Sequence, residues 1–199
     1  MIASLKTLLP LLLAPLALAA PQPENLNHTP RQAVGEILPT RIISHDLAWQ
    51  VPNMCLRPGA RPSAQRRIES GNEAGRSILF TFTYPAAAAS RQCWLELAMV
   101  PPTTVVPNPG AQLDVFRMWA PGSCEGGATS NNRDVQLGRL NVPESGTASW
   151  GVVYNAHLTG RVPCPAPGTT ENVEIAAVGE PGEVTFNEGT GAGLRIRYA

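Results

Sequence analysis

Hydrophobic and polar residues alternate over several stretches of this chain. In the clearest of them, Ile78, Phe80, Phe82 and Tyr84 occupy every second position of the segment 78–84. A repeat of two residues is the repeat of a β-strand that turns one face to the protein core. The same kind of pattern predicts strands at 43–51, 78–84, 93–99, 113–119, 135–142, 148–158, 173–178, 184–186 and 194–198.

The segments between these strands are rich in Gly, Pro, Asn and Ser, the residues that most often form turns. Beyond residue 20, no stretch combines the 3.6-residue repeat of a helix with helix caps, and the alanines at 86–89 are too few for a stable helix. Many short strands joined by turns are typical of an antiparallel sandwich. We therefore predict an all-β fold, a single-domain antiparallel β-sandwich of jelly-roll type, over residues 41–199.

Residues 1–19 have the pattern of a secretory signal peptide. A single positive charge, Lys6, precedes a short apolar run that ends in the small residues Ala17, Ala19 and Ala20. The run is interrupted by prolines and is shorter than the ~20 apolar residues of a membrane-spanning helix. We expect cleavage after Ala19, no membrane span in the mature chain, and a secreted protein located outside the cell or in the cell wall.

The segment 20–40 is predicted to be a proline-rich extended arm. Four prolines fall within it, and no hydrophobic periodicity precedes residue 41. Asn27, His28 and Thr29 form an N-x-T sequence, so Asn27 is a candidate glycosylation site on an exposed segment.

The charge balance limits the partners of the protein. Fifteen basic and fifteen acidic residues cancel, which argues against nucleic acid as a partner. Lys6 is the only lysine, so the mature chain has neither a Schiff-base lysine nor a P-loop lysine. The remaining candidates are a polysaccharide or an extracellular protein.

Four cysteines remain in the mature chain: Cys55, Cys93, Cys124 and Cys164. An even number in a secreted protein predicts two disulfides, and their spacing does not fit a zinc site. Loop-closure entropy differs by only a few tenths of a kcal/mol among the arrangements, so all three connectivities stay open on the spacing alone.

Residues able to carry acid–base chemistry do not form a recognisable motif. His45, Asp46 and His157 are the obvious candidates, and there is no G-x-S-x-G sequence. A glycosidase would use two carboxylates, for which the chain offers Glu69, Glu73, Glu96, Asp114, Glu174 and Glu183. Asp114, Glu125 and Asp134 could contribute to a calcium site, but no calcium-binding loop is present. We predict no catalytic residue, no metal site and no cofactor.

The tryptophans are the candidate ligand-contacting residues. Most tryptophans of a small domain lie in the core, but one or two on a sheet face would stack on a sugar ring or on an apolar patch of a partner. The candidates are Trp49, Trp94, Trp119 and Trp150.

Several motifs, in order, resemble the But-two C-terminal domain family, whose members are mostly fungal and often secreted. Phe80-Thr81-Phe82, Pro85, Cys93-Trp94-Leu95 and Pro101 are similar to its F-x-F-x-x-P … C-x-L-x-F … P stretch. The resemblance continues to about Tyr198 through the segments 113–116, 131–138, 162–168 and 193–196. Asp134 stands where a proline is common in the family, and Trp94 where a small polar residue is expected.

The resemblance implies a β-sandwich and a disulfide between Cys93 and Cys164, which leaves Cys55 with Cys124. It implies no catalytic residue. The family is named for binding the activating enzyme of a ubiquitin-like modifier, an intracellular role that conflicts with a signal peptide and disulfides. The leading hypothesis is a secreted, non-catalytic binding or surface module for a cell-wall glycan or an extracellular protein. The alternatives are a secreted hydrolase with an unrecognised acid pair and an intracellular adaptor of a ubiquitin-like modifier pathway.

The signal peptide gives the first testable prediction. When the full chain is expressed in a eukaryotic secretory host, we expect it in the culture medium with Ala20 as its first residue, because the A-x-A sequence directs cleavage there. N-terminal sequencing of the secreted material checks this. Retention of the uncleaved chain inside the cell would contradict it and favour the intracellular adaptor.

Overall fold

The structure, a computed structural model, describes residues 34–46, 54–57, 60–69, 72–107, 110–124 and 132–199. The predicted signal peptide, residues 20–33 of the predicted arm, Asn27 and Trp49 lie outside these ranges. Within them the only helical segment is a single 3-10 turn at Ala86–Ala88, as expected for so few alanines. No helix of these ranges is long and apolar enough to cross a membrane.

The described residues form fifteen strands, and every pairing between strands is antiparallel. In chain order they are β1 (Gly35–Ile37), β2 (Arg41–Asp46), β3 (Met54–Cys55), β4 (Ser63–Glu69), β5 (Asn72–Thr83), β6 (Gln92–Met99), β7 (Thr104–Val106), β8 (Ala111–Met118), β9 (Arg133–Val142), β10 (Gly146–Thr147), β11 (Ser149–Val153), β12 (Val162–Pro163), β13 (Thr170–Val178), β14 (Gly182–Thr185) and β15 (Gly193–Tyr198).

The strands form two sheets. The smaller sheet has the order β1-β15-β6-β10, with β12 also paired to β6. The larger sheet has the order β11-β9-β8-β13-β5-β4-β14-β7, with β2 added to β5 and β3 added to β2. Side chains of both sheets belong to one hydrophobic core, which makes the fold a sandwich. The prediction of an all-β antiparallel sandwich is therefore confirmed.

Alternation along each strand divides the side chains between core and surface. In β6, Cys93, Leu95 and Leu97 are at most 4% exposed, whereas Trp94 and Glu96 on the other face are half-buried. The inner face of β5 contributes Phe80 and Phe82, whose rings stack with their centroids 6.3 Å apart. Burying one such side chain stabilises the folded state by about 1.5–3 kcal/mol, so this core is the main source of stability.

Two disulfides link segments that are distant in sequence. Cys93, at the start of β6, is joined to Cys164, with their Cα atoms 5.0 Å apart. Cys55 of β3 is joined to Cys124, with Cα atoms 5.4 Å apart. This is the pairing that the family resemblance implies. One bridge joins β6 to the residue that follows β12, and the other joins β3 to the loop after β8.

A small second cluster lies on the outer face of the larger sheet. Ile43 and Leu79 pack there with Met118, and Cys124 rests against them. Gly122 makes the close approach possible, since a Cβ at this position would lie 2.8 Å from Leu79 Cδ2. The loop after β8 therefore covers part of this face, and the Cys55–Cys124 disulfide holds it in place.

Two predicted segments take a different structure, and the strands β3, β4, β7, β10 and β12 fall outside the predicted segments. The predicted strand 148–158 ends at Val153, because the following residues turn: Thr159 Oγ1 donates a hydrogen bond to the Asn155 carbonyl, and Leu158 has a φ of 58°. Leu158 is nevertheless fully buried. A buried hydrophobic residue in the turn therefore extends the alternating pattern beyond the end of the strand. Gly35–Ile37, assigned to the extended arm, forms β1 against β15.

Removing the Cys93–Cys164 disulfide tests how much the core depends on it. For the double variant Cys93→Ala, Cys164→Ala we expect the free energy of unfolding to fall by about 2–5 kcal/mol, since the bridge restricts the unfolded chain across 71 residues. Urea unfolding followed by tryptophan fluorescence measures this. An unchanged midpoint and slope would show that the bridge does not stabilise the sandwich.

Candidate functional site

One edge of β6 lacks a continuous partner strand. The short strand β12 pairs with Gln92 and Cys93, and the short strand β10 pairs with Ala98 and Met99. Between them, the Leu95 N–H donates to the Leu158 carbonyl, and the Ala148 N–H donates to the Leu97 carbonyl. The sheet is therefore interrupted along the middle of this edge, and a groove opens there.

The groove has a volume of about 320 Å³ and is lined by residues of several elements. Trp94 and Trp150 contribute its aromatic residues, while Leu95, Leu97 and Leu140 border it with side chains that are at most 4% exposed and belong to the core. The polar residues of the lining are Thr147, Ser149, Thr159, Glu96 and Arg161. The Thr159 hydroxyl already donates a hydrogen bond to the Asn155 carbonyl. Aromatic faces combined with a few polar groups are typical of a small-molecule or saccharide site.

The two tryptophans reach the groove from different sheets. Trp94 lies on the outward face of β6, as the alternation of that strand dictates. Trp150 lies on β11 of the larger sheet and packs partly against the core. Gly138 lies on the neighbouring β9, where a Cβ would collide with the Val152 carbonyl and would also lie 3.0 Å from Trp150 Cε3. Core packing thus fixes the orientation of Trp150 before any ligand arrives.

The carboxylate of Glu96 is already paired. Its Oε1 accepts hydrogen bonds from Arg195 Nε and Nη2 at 3.0 and 2.6 Å. Arg195 also lies 3.6 Å from Glu36 Oε2, and its side chain is only 6% exposed. The negative charge of Glu96 is therefore balanced, while no described residue hydrogen-bonds its other oxygen.

The other two candidate tryptophans do not join this groove within the described residues. Trp119 follows β8 and is 75% exposed, so it presents a separate apolar surface. Trp49 lies outside the described residues. Of the four candidates, Trp94 and Trp150 are the pair that the structure brings together.

A second polar cluster lies at an inward-facing position of the larger sheet. Glu171, opposite Phe82, is buried; its Oε2 lies 2.9 Å from His157 Nε2 and its Oε1 3.3 Å from Arg117 Nε. The hydroxyl of Tyr84 is buried with no hydrogen-bond partner among the described residues. Burial, and then the charge of Glu171, raises the pKa of Tyr84 well above its usual range.

Glu171 was not among the residues singled out from sequence. A signal for it exists, because Glu171, Val173, Ile175 and Ala177 share one face of β13 and a glutamate is out of place among them. Of the candidate acid–base residues, His157 belongs to this cluster and His45 lies on β2. The side chain of Asp46 lies outside the described part of the chain.

Most of the candidate acid-pair carboxylates serve as ion-pair or hydrogen-bond partners. Asp114 Oδ1 lies 2.7 Å from Arg139 Nε, and the hydrogen bond to Asp114 is the main cause that raises the pKa of Arg139. Glu174 binds Arg133 through both oxygens at 2.7 and 2.8 Å, and the Arg133 guanidinium lies 4.1 Å from the centre of the Phe116 ring. The Asp114–Arg139 pair joins the neighbouring strands β8 and β9, and the Glu174–Arg133 pair spans from β13 to β9 across Phe116 of β8.

The remaining acidic candidates do not assemble into a site. Glu183 on β14 accepts hydrogen bonds from Gln65 and Thr185. The side chains of Glu69 and Glu73, and all of Glu125, lie outside the described residues. Asp134 is paired with Arg117 at 3.7 Å. Within the described ranges no three His, Cys, Asp or Glu residues come together as metal ligands would.

Glu188 is a buried carboxyl that sequence patterns do not reveal. Its Oε1 accepts a hydrogen bond from the Leu194 N–H at 3.1 Å, while its buried Oε2 has no partner in the described structure. Gly193, with a φ of 78°, lies against this carboxyl, and a Cβ there would collide with it. Burial raises the pKa of Glu188 to about 8, although the Leu194 N–H and Arg195 act to lower it.

Comparison with known proteins adds no relative: no family model matches the chain, and no curated protein matches it. The interpretation of the groove, of the Glu171 cluster and of the buried Glu188 carboxyl therefore rests on their geometry.

The raised pKa of Glu188 gives a pH-dependence prediction. The unfolded carboxyl loses its proton near 4.5 and the folded one near 8, so between these values the folded state binds more protons and its stability falls as pH rises. Glu188→Gln removes this dependence, and relative to wild type its free energy of unfolding should rise by about 4 kcal/mol from pH 4.5 to pH 8.

Urea unfolding of wild type and Glu188→Gln at both pH values measures the effect. The control is Glu180→Gln, which alters an exposed carboxyl and should show no such gain. If the free energy of unfolding differs between Glu188→Gln and wild type by the same amount at both pH values, the buried carboxyl does not titrate in this range.

Proposed function

We propose that the protein is a secreted, non-catalytic binding module and that its groove on β6 binds a saccharide of the cell wall or extracellular matrix. The observation that carries the proposal is the convergence of Trp94 and Trp150 on one open groove together with three hydroxyl side chains. Sugar rings present apolar C–H faces and a rim of hydroxyls. A groove with indole surfaces and hydroxyl partners matches both features.

The charges of the groove favour binding over hydrolysis. A glycosidase uses two carboxylates on either side of the scissile bond. Among the described residues, Glu96 is the one carboxylate that lines the groove, and it is bound to Arg195. The alternative of a secreted hydrolase would need a second acid across the groove.

The location also belongs to the proposal. The predicted signal peptide and the two disulfides support an extracellular protein, since disulfides persist in oxidising compartments. The intracellular adaptor would have to keep both bridges in a reducing compartment. The resemblance to the But-two C-terminal domain family stays a prediction beside this one, and no part of the binding proposal depends on it.

Binding to polysaccharides tests the proposal. We expect the secreted chain to be retained on at least one of chitin, β-glucan, cellulose and pectate, and Trp150→Ala or Trp94→Ala to weaken the affinity at least about tenfold (~1.4 kcal/mol) by removing an indole from the groove. Depletion of the chain from solution by the insoluble polysaccharide gives the affinity.

Trp119→Ala is the matched control, because it removes an exposed indole outside the groove. Thermal unfolding of each variant shows that it is folded at the assay temperature. The proposal is wrong if the chain binds none of the four polysaccharides, or if Trp119→Ala weakens binding as much as the groove variants do.

A further inference from the structure

Arg161 is the arginine of the groove lining, and it contacts an aromatic ring. It contrasts with five arginines that have acidic partners. Arg117, Arg133, Arg139, Arg195 and Arg197 each lie within ion-pair distance of an aspartate or glutamate. Arg161 is exposed, and its guanidinium carbon lies 4.3 Å from the centre of the Trp94 ring. No carboxylate of the described residues forms an ion pair with it.

The unbalanced charge of the groove is therefore positive. Glu96 is neutralised by Arg195, which leaves the guanidinium of Arg161 as the charged group of the lining without an opposite charge. The guanidinium of Arg161 can donate hydrogen bonds to the hydroxyls of a neutral sugar, but a neutral sugar does not balance its charge. An anionic group on the ligand would complete the charge balance.

The position of Arg161 over Trp94 suits it to bind an oxyanion. A guanidinium stacked on an aromatic ring uses its face and leaves the N–H groups at its edge free, and these donate in a planar fork that matches a carboxylate or sulfate. Contact with the indole also limits the rotamers of the arginine, so less entropy is lost when the anion binds. Trp94 then acts as a positioning residue for Arg161.

We infer that the groove takes an acidic saccharide, whose carboxylate or sulfate pairs with Arg161 while a sugar ring lies against Trp150. This inference rests on the proposed binding function and specifies the ligand class. The free oxygen of Glu96 and the hydroxyls of Thr147 and Thr159 accept or donate hydrogen bonds at the sugar rim.

The test compares two kinds of acidic oligosaccharide with a neutral ester. Isothermal titration of the secreted chain is performed with oligogalacturonate, with its fully methyl-esterified form, and with a sulfated galactan oligomer. We expect at least one acidic oligomer to bind about tenfold more tightly or better than the neutral ester. Arg161→Gln should abolish that difference, while Arg57→Gln, the same change at another exposed arginine, should preserve it.

A second set of variants tests whether Trp94 acts through Arg161. If Trp94 positions Arg161, Trp94→Ala and Arg161→Gln should each reduce the preference for the acid over the ester by a similar factor. The double variant should then show little further reduction of that preference. If binding of the carboxylated oligomer depends on Arg161, the ligand class is a uronate. If binding of the sulfated oligomer depends on Arg161, the ligand class is a sulfated sugar.

The outcomes distinguish the inference from the function on which it rests. If the acid and the ester bind with equal affinity and Trp150→Ala abolishes both interactions, the inference of an acidic ligand is wrong. The proposal of a saccharide-binding groove then still holds. Equal losses in Arg161→Gln and Arg57→Gln would overturn it as well, because net charge alone would then explain the preference. Absence of binding to every acidic and neutral saccharide would overturn the proposed function itself.

Discussion

The alternation of side chains along β6 is the constraint on which both the core and the groove depend. Cys93, Leu95 and Leu97 enter the core, while Trp94 and Glu96 face outward. A slip of one residue in the pairing with β15 would exchange these two sets, so the register must hold for the protein to fold and to bind. The Cys93–Cys164 bridge fixes one end of the strand, and the interruption of its free edge creates the groove.

Ion pairs of buried charged side chains link strands within each sheet. Glu171, Glu174 and Arg195 are each at most 5% exposed and contact an opposite charge or a histidine. Removing one partner of such a pair leaves a buried charge uncompensated, at a cost of about 3–5 kcal/mol.

Two groups depart from this arrangement. Glu188 has a buried carboxyl oxygen and a raised pKa, and Arg161 is a cation that contacts an indole and, among the described residues, no carboxylate. Such departures identify candidates for regulation and binding.

The sequence predicts the sandwich because a strand with one buried face shows a repeat of two, which is plain in β5, β6 and β8. The mainly polar segment Ser63–Glu69 and the short segment Thr104–Val106 lack that repeat, so β4 and β7 were not predicted. The candidate site is only partly predictable. Residue type identifies Trp94 and Trp150 as candidates, but their position along the same groove depends on how the two sheets pack. Arg161 carries no local signal, because its importance arises from the ring it contacts and from the pairing of Glu96 elsewhere.

Indole N–H resonances in two-dimensional nitrogen–proton NMR spectra test the groove most directly. The tryptophans give separate signals, which single Trp→Phe variants assign to Trp94, Trp119 and Trp150. During titration of the secreted chain with oligogalacturonate, the signals of Trp94 and Trp150 are expected to shift together along one binding curve while that of Trp119 stays in place. A saturable shift of Trp119 without change at Trp94 and Trp150 would place the binding surface elsewhere on the sandwich and contradict this account.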